Sequence, residues 1–210
     1  MTVWSKYDFN LAATQIASLL YQDDQSDNQW SYENDCLVTI ITREKATKQI
    51  HDHQIIQSYV EDDDITSFDG DTIVFRDVQT SEWLVTISYS DIWQVPVLHF
   101  TVQMQDGTPL RRDDVISCLL EYNDDPDSTS SVTSDFVSID EHPVTGIPSY
   151  CLHPCRTSGL LEILLCTSSS DSPTLQLWSW MSMILPHVGI AIHPSTFRRI
   201  QTELEGSDEH

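Results

Sequence analysis

The 210-residue chain carries ten basic against 33 acidic side chains, a formal charge of −23, with 40% hydrophobic residues and six tryptophans. This is the size of one domain with a real core, and its charge repels a phosphate backbone or an anionic bilayer, which excludes nucleic acid and membrane as first partners. The plain reading of the acidity is solubility; the specific one is steering toward a basic partner surface.

Five cysteines form an odd set, and the opening Met1 to Lys6 has no basic region leading into an apolar run and a small-residue cleavage site. No apolar stretch reaches the eighteen or so residues needed to span a bilayer. A reduced, cytoplasmic protein is expected.

Phe9, Leu11, Ala12, Ile16, Leu19 and Leu20 recur at mixed three- and four-residue spacing, which predicts an amphipathic helix over Tyr7 to Tyr21 with Asp8 or Asn10 as its cap. Trp30 to Arg43 is rich in aromatic and β-branched residues and is predicted as one strand. Thr72 to Arg76, Trp83 to Ser90 and Val95 to Gln105 follow as three more, the last two separated by a turn around Asp91. Short connections between successive strands predict an antiparallel meander.

Asp106-Gly107 marks a turn, after which Asp113 to Glu121 carries Val115, Ile116, Leu119 and Leu120 on a short helix. Acidic loops are expected near residues 57–71 and 122–135, the second a mobile one. His142-Pro143 and Gly146 are turn markers before a strand that bears Cys151. Ser158 to Cys166 and Thr174 to Leu185 are predicted helices, with Pro186 to Ile192 as an apolar return. The whole of residues 1–210 is expected to form a single α+β domain, a curved antiparallel β-sheet flanked by helices.

The run Pro148-Ser149-Tyr150-Cys151-Leu152-His153-Pro154-Cys155-Arg156-Thr157 delivers a thiol into a short polar turn, with a cation beside it. The thiolate is the nucleophile, and a neighbouring cation lowers a thiol pKa from its free value of about 8.5. Cys36, Cys118 and Cys166 lie in apolar periodic stretches and read as core residues. Cys155 does not.

Cys151, His153 and Cys155 alternate at period two, which admits a zinc reading. A structural zinc takes four ligands from two short clusters, no second such cluster is present, and Pro154 disturbs the strand, so no metal and no cofactor are expected. His51-Asp52-His53 reads as a solvated segment. A cysteine hydrolase would need a base such as His99, His142, His187 or His193, and no protease signature surrounds Cys155.

These residues resemble the autophagy-related protein 10 family of E2-like conjugating enzymes. The markers are Gln94-Val95-Pro96-Val97-Leu98, Asp106-Gly107-Thr108-Pro109-Leu110, Glu141-His142-Pro143 with Gly146, His153-Pro154-Cys155-Arg156-Thr157, and Trp178-Ser179-Trp180 leading to Pro186-His187-Val188-Gly189. The match runs from about Ser88 to Phe197, roughly half the chain. The resemblance implies an E2-like core, with Cys155 carrying the ubiquitin-like autophagy-related protein 12. It further implies delivery by the activating enzyme autophagy-related protein 7 and transfer to a lysine of autophagy-related protein 5.

Isopeptide formation passes through an oxyanion that needs a hydrogen-bond donor. Ubiquitin-conjugating enzymes use the asparagine of a His-Pro-Asn element. Here the elements are His142-Pro143-Val144 and His153-Pro154-Cys155, so His153 is expected to take part of that role, with Tyr89 as a second donor. The alternative is a catalytically silent module that recruits a ubiquitin-like partner by strand-edge pairing.

Overall fold

A computed structural model describes residues 4–22, 28–48, 76–122, 137–154, 159 and 172–207. Helix α1, Lys6–Tyr21, starts at Ser5: the Ser5 hydroxyl accepts from the Asp8 N–H, and the Asp8 carboxylate accepts from the Ser5 N–H. This reciprocal cap corrects the sequence expectation, since Asp8 belongs to the box as its third helical residue and does not precede the helix. The helix buries Phe9, Ala12, Ala13, Ile16, Ala17 and Leu20 on one face.

The predicted strand from Trp30 is two strands, β1 (Trp30–Glu33) and β2 (Cys36–Lys48), joined at Asn34-Asp35. Both turn residues have positive φ, 51° and 62°, as a two-residue hairpin turn with the right twist requires. Strand β3 (Arg76–Ser90) turns through Asp91 to Gln94 into β4 (Val95–Met104). Of the strand expected over Thr72 to Arg76 only Arg76 is described, and it opens β3, which runs unbroken through Ser90 where a separate strand was expected to start at Trp83; most of the two acidic loops and of the helix expected over Ser158 to Cys166 lies outside the described residues.

Helix α2 (Arg112–Tyr122) precedes β5 (Val137–Glu141) and β6 (Pro148–Leu152). All strand pairs are antiparallel and the order is β1-β2-β3-β4-β6-β5. The meander therefore holds through β4, after which the β5–β6 hairpin folds back and inserts β6 beside β4.

Register separates two faces. Val85, Phe100 and Tyr150 lie in one row, and stacked pairs Trp83–Phe100 and Phe100–Tyr150, each 5.6 Å between centroids, fill this face. It joins α1 and helix α3 (Pro173–Ile184) in one core that includes Trp178 and Trp180. Trp4 Nε1 donates to Gln176 Oε1 at 2.8 Å, tying the start of α1 to α3. The Arg43 guanidinium lies 4.1 Å over the Trp83 ring and donates to the Val188 carbonyl.

Leu185–Val188 forms a turn of 3-10 helix that ends on Gly189 at φ 67°, and helix α4 (Pro194–Ser207) follows. The sequence reading stops at the apolar return and omits α4, whose buried Ile200 and Leu204 pack on the same core with Phe197 against Trp178.

Candidate functional site

The second face of the sheet carries the row Thr86, His99, Cys151, Ser138. These side chains are polar, yet Thr86, His99 and Cys151 are buried. Each polar atom therefore has to find a partner. Ser138 Oγ lies 3.0 Å from Cys151 Sγ, and Ser149 Oγ lies 3.3 Å from His99 Nδ1. The β5–β6 turn covers the row: His142 Nδ1 accepts from the N–H groups of Val144 and Thr145, and the His142 ring meets His99 edge-on at 5.6 Å. Gly146, at φ 66°, closes this turn, as its sequence position predicted.

Burial decides which thiols and imidazoles can react. Desolvation pushes the Cys36 thiol up to about 11, with Asp35 adding to it, and raises Cys151 as well. Both shifts favour the neutral thiol, and Cys151 is buried with its sulfur against Ser138. Burial, reinforced by His142, depresses His99 to about 4, and burial also lowers His142 and His187. His193 is bound locally, Nδ1 to Ser195 Oγ at 2.6 Å.

Strand β6 ends at Leu152, so His153 stands beyond the regular alternation that a Cys151–His153–Cys155 metal set would need. Among the described residues no group of three or more His, Cys, Asp or Glu is placed to hold a metal ion. Cys155 itself lies outside the described residues.

His153 is half-buried, and its ring meets the Trp93 indole edge-on, 6.0 Å between centroids at 66°. Trp93 comes from the β3–β4 turn, where Gln94 takes a left-handed φ of 55°. Sequence reasoning passed over Trp93. Its signal was an apolar pair, Ile92-Trp93, in a turn directly before Val95-Pro96, where no strand or helix accounts for it.

Tyr89 is on the helix-covered face. Its hydroxyl donates to the Trp4 carbonyl and its ring tilts over Phe9 at 6.1 Å, so it fastens the start of α1 to the sheet. Desolvation raises its phenol above the ordinary value. The structure thus brings His153 together with Trp93, and gives the Tyr89 hydroxyl a different partner.

The chain matches the family model described as the autophagocytosis associated protein, active-site domain, over residues 8–195. It is similar to the ubiquitin-like-conjugating enzyme ATG10 of Homo sapiens, 31% identical over 105 residues, which are 50% of this chain and 47% of that protein. The enzyme of the same name from Dictyostelium discoideum is 32% identical over 116 residues, 50% of each chain. That of Arabidopsis thaliana is 34% identical over 114 residues, 50% of this chain and 48% of the relative. The chain spans about half the length of the curated relatives it matches. A crystal structure of the autophagic E2 Atg10 aligns with 90% of this chain and 99% of that one, at 13% identity and a TM-score of 0.48. With a family model matched from the first helix through the His153-Pro154-Cys155 element and on to Ser195, the chain belongs to the autophagocytosis associated protein family, and the relatives it resembles within it are ATG10 proteins.

Proposed function

We propose that this chain is an E2-like enzyme that carries a ubiquitin-like protein on Cys155 and transfers it to a lysine in autophagosome formation. The observation that carries the reading is the active-site family match spanning His153-Pro154-Cys155. It is supported by the burial of Cys36 and Cys151, which removes two competing thiols. The partners implied by the resemblance are autophagy-related protein 12 as cargo, autophagy-related protein 7 as activating enzyme and autophagy-related protein 5 as acceptor. A cytoplasmic location fits these partners, and among the described residues no helix is long and apolar enough to cross a membrane.

In the first step the Cys155 thiolate attacks the cargo's C-terminal carbonyl, a new S–C bond forms, the C–S bond to the activating enzyme breaks, and that enzyme's cysteine leaves as a thiolate. In the second the acceptor amine attacks the same carbon, the C–N bond forms, the C–S bond breaks and the amine loses a proton. Covalent relay splits one difficult transfer into two easier ones. His153 donates toward the developing oxyanion, and the Trp93 indole packs against its ring. Tyr89 contributes by fixing α1, and its donor role would require it to leave Trp4.

Incubation with activating enzyme, ATP and the ubiquitin-like protein tests this reading. A covalent adduct released by thiol reductant is the expected product.

A further inference from the structure

One side chain holds the β5–β6 turn closed. His142 Nδ1 accepts from the N–H groups of Val144 and Thr145, each at 3.3 Å, and the backbone completes the loop, His142 N–H to the Ile147 carbonyl and Gly146 N–H to the His142 carbonyl, each at 2.9 Å. An asparagine or aspartate ties such a turn with an oxygen. Here the tie is a nitrogen that can take a proton. Because two N–H groups point at Nδ1, the neutral ring carries its hydrogen on Nε2, and Nδ1 is the one position left for a second. Nε2 is buried and has no hydrogen-bond partner among the described residues.

We infer that the turn from His142 to Ile147 is an acid-released cover: a proton added to His142 Nδ1 converts the shared acceptor into a donor, breaks both hydrogen bonds at once and frees the turn from the sheet. The charged ring cannot stay where it is. It would aim one N–H at two other N–H groups and the other at no acceptor, at a position that is 5% exposed. The titratable groups around it are His99 from β4, edge-on at 5.6 Å, Asp140 and Glu141 from β5, Cys151 from β6 and, along the groove that His142 also lines, Cys36 from β2, Glu33 from β1 and Tyr21 from α1; β3 presents Thr86. Burial lowers His142 below the ordinary histidine value, so the neutral ring holds the turn above about pH 6.5 and the tie is lost as pH falls below it. Release uncovers the buried row of Thr86, His99 and Cys151, and it removes the Val144-Thr145 wall of a groove of about 590 Å³ beside Val38, Ile40 and Leu84. The inference does not depend on the conjugating reading.

NMR of the full chain across about pH 8 to about pH 4, the span in which a histidine titrates, tests this. At neutral pH the His142 ring should be the Nε2–H tautomer. As pH falls, the Val144 and Thr145 amide resonances should move together with the ring at one midpoint below the ordinary histidine value, while the indole resonance of Trp83 in the core stays in place. His142→Asn, whose Oδ1 takes over as acceptor and binds no proton, should hold both amide resonances still over the same range. An Nδ1–H tautomer at neutral pH overturns the inference, and so does ring titration with the two amides unmoved. Amides that still move in His142→Asn overturn it by assigning the change to His99, Asp140 or Glu141. Movement of the Trp83 indole at the same midpoint overturns it as well, since the transition is then unfolding of the whole domain. If His142→Asn does not fold, the tautomer and the coincidence of midpoints in the unsubstituted chain decide.

Discussion

The Trp93 indole lies edge-on to the His153 imidazole, 6.0 Å between ring centroids, although sixty residues separate them in sequence. The contact exists because β6 inserts beside β4, which brings the segment after Leu152 to the end of the sheet where β3 turns into β4. It makes the indole the wall that fixes the imidazole. His153→Ala should therefore slow single-turnover discharge by about tenfold to a hundredfold while loading stays near normal, since a donor aimed at an oxyanion acts in the step that forms it. Trp93→Ala should reproduce part of that loss, and the double variant should be no slower than His153→Ala alone, because the indole acts through the imidazole. Normal discharge from preloaded His153→Ala would remove the residue from the mechanism.

Tyr89 gives the opposite pattern. Its hydroxyl is spent on the Trp4 carbonyl, so Tyr89→Phe should lower stability by about 1 kcal/mol in urea melts and leave discharge per loaded molecule unchanged. A discharge defect without a stability change would return Tyr89 to the oxyanion.

Stability should fall with acid through His99. Its folded value lies near 4, below the ordinary histidine value, because burial and His142 disfavour the cation, partly offset by Asp140. The unfolded chain therefore binds the proton first. The contribution is fully present above about pH 6.5, is lost as pH falls toward 4, and amounts to at most on the order of 3 kcal/mol. Urea unfolding at pH 7.5 and pH 4.5 measures it, and His99→Gln should show a smaller drop between the two. An equal drop would assign the acid sensitivity elsewhere, His142 being the nearest alternative.

Cys151 lies on the strand that leads into His153-Pro154-Cys155, and its sulfur is 3.0 Å from the Ser138 hydroxyl inside the sheet. We expect purified protein to hold no stoichiometric metal and its thermal midpoint to be indifferent to chelator. Zinc near one equivalent, with a large fall in midpoint on chelation, would overturn Cys155 as the nucleophile.

Local signals carried much of this fold in the sequence. The spacing of Phe9, Ala12, Ile16 and Leu20 predicted α1 to within a residue, and short turns predicted the β3–β4 hairpin. Asn34-Asp35 escaped because the sequence stays rich in strand formers on both sides and lacks the glycine that usually marks such a turn. Helix α4 escaped because only Phe197, Ile200 and Leu204 mark its apolar stripe amid charged residues. Of the site, the His153-Pro154-Cys155 element was legible as chemistry. Its Trp93 neighbour was not, since that contact depends on the crossing from β4 to β6, a pairing of distant residues that no local pattern encodes.

The identity of the nucleophile is the central claim, and one gel decides it. The chain is incubated with activating enzyme, ATP and the ubiquitin-like protein, alongside Cys155→Ser and Cys155→Ala, with and without reductant. The account predicts a reductant-sensitive adduct for the unsubstituted chain, a reductant-resistant oxyester for the serine variant and none for the alanine variant. A covalent adduct that persists in Cys155→Ala would contradict it.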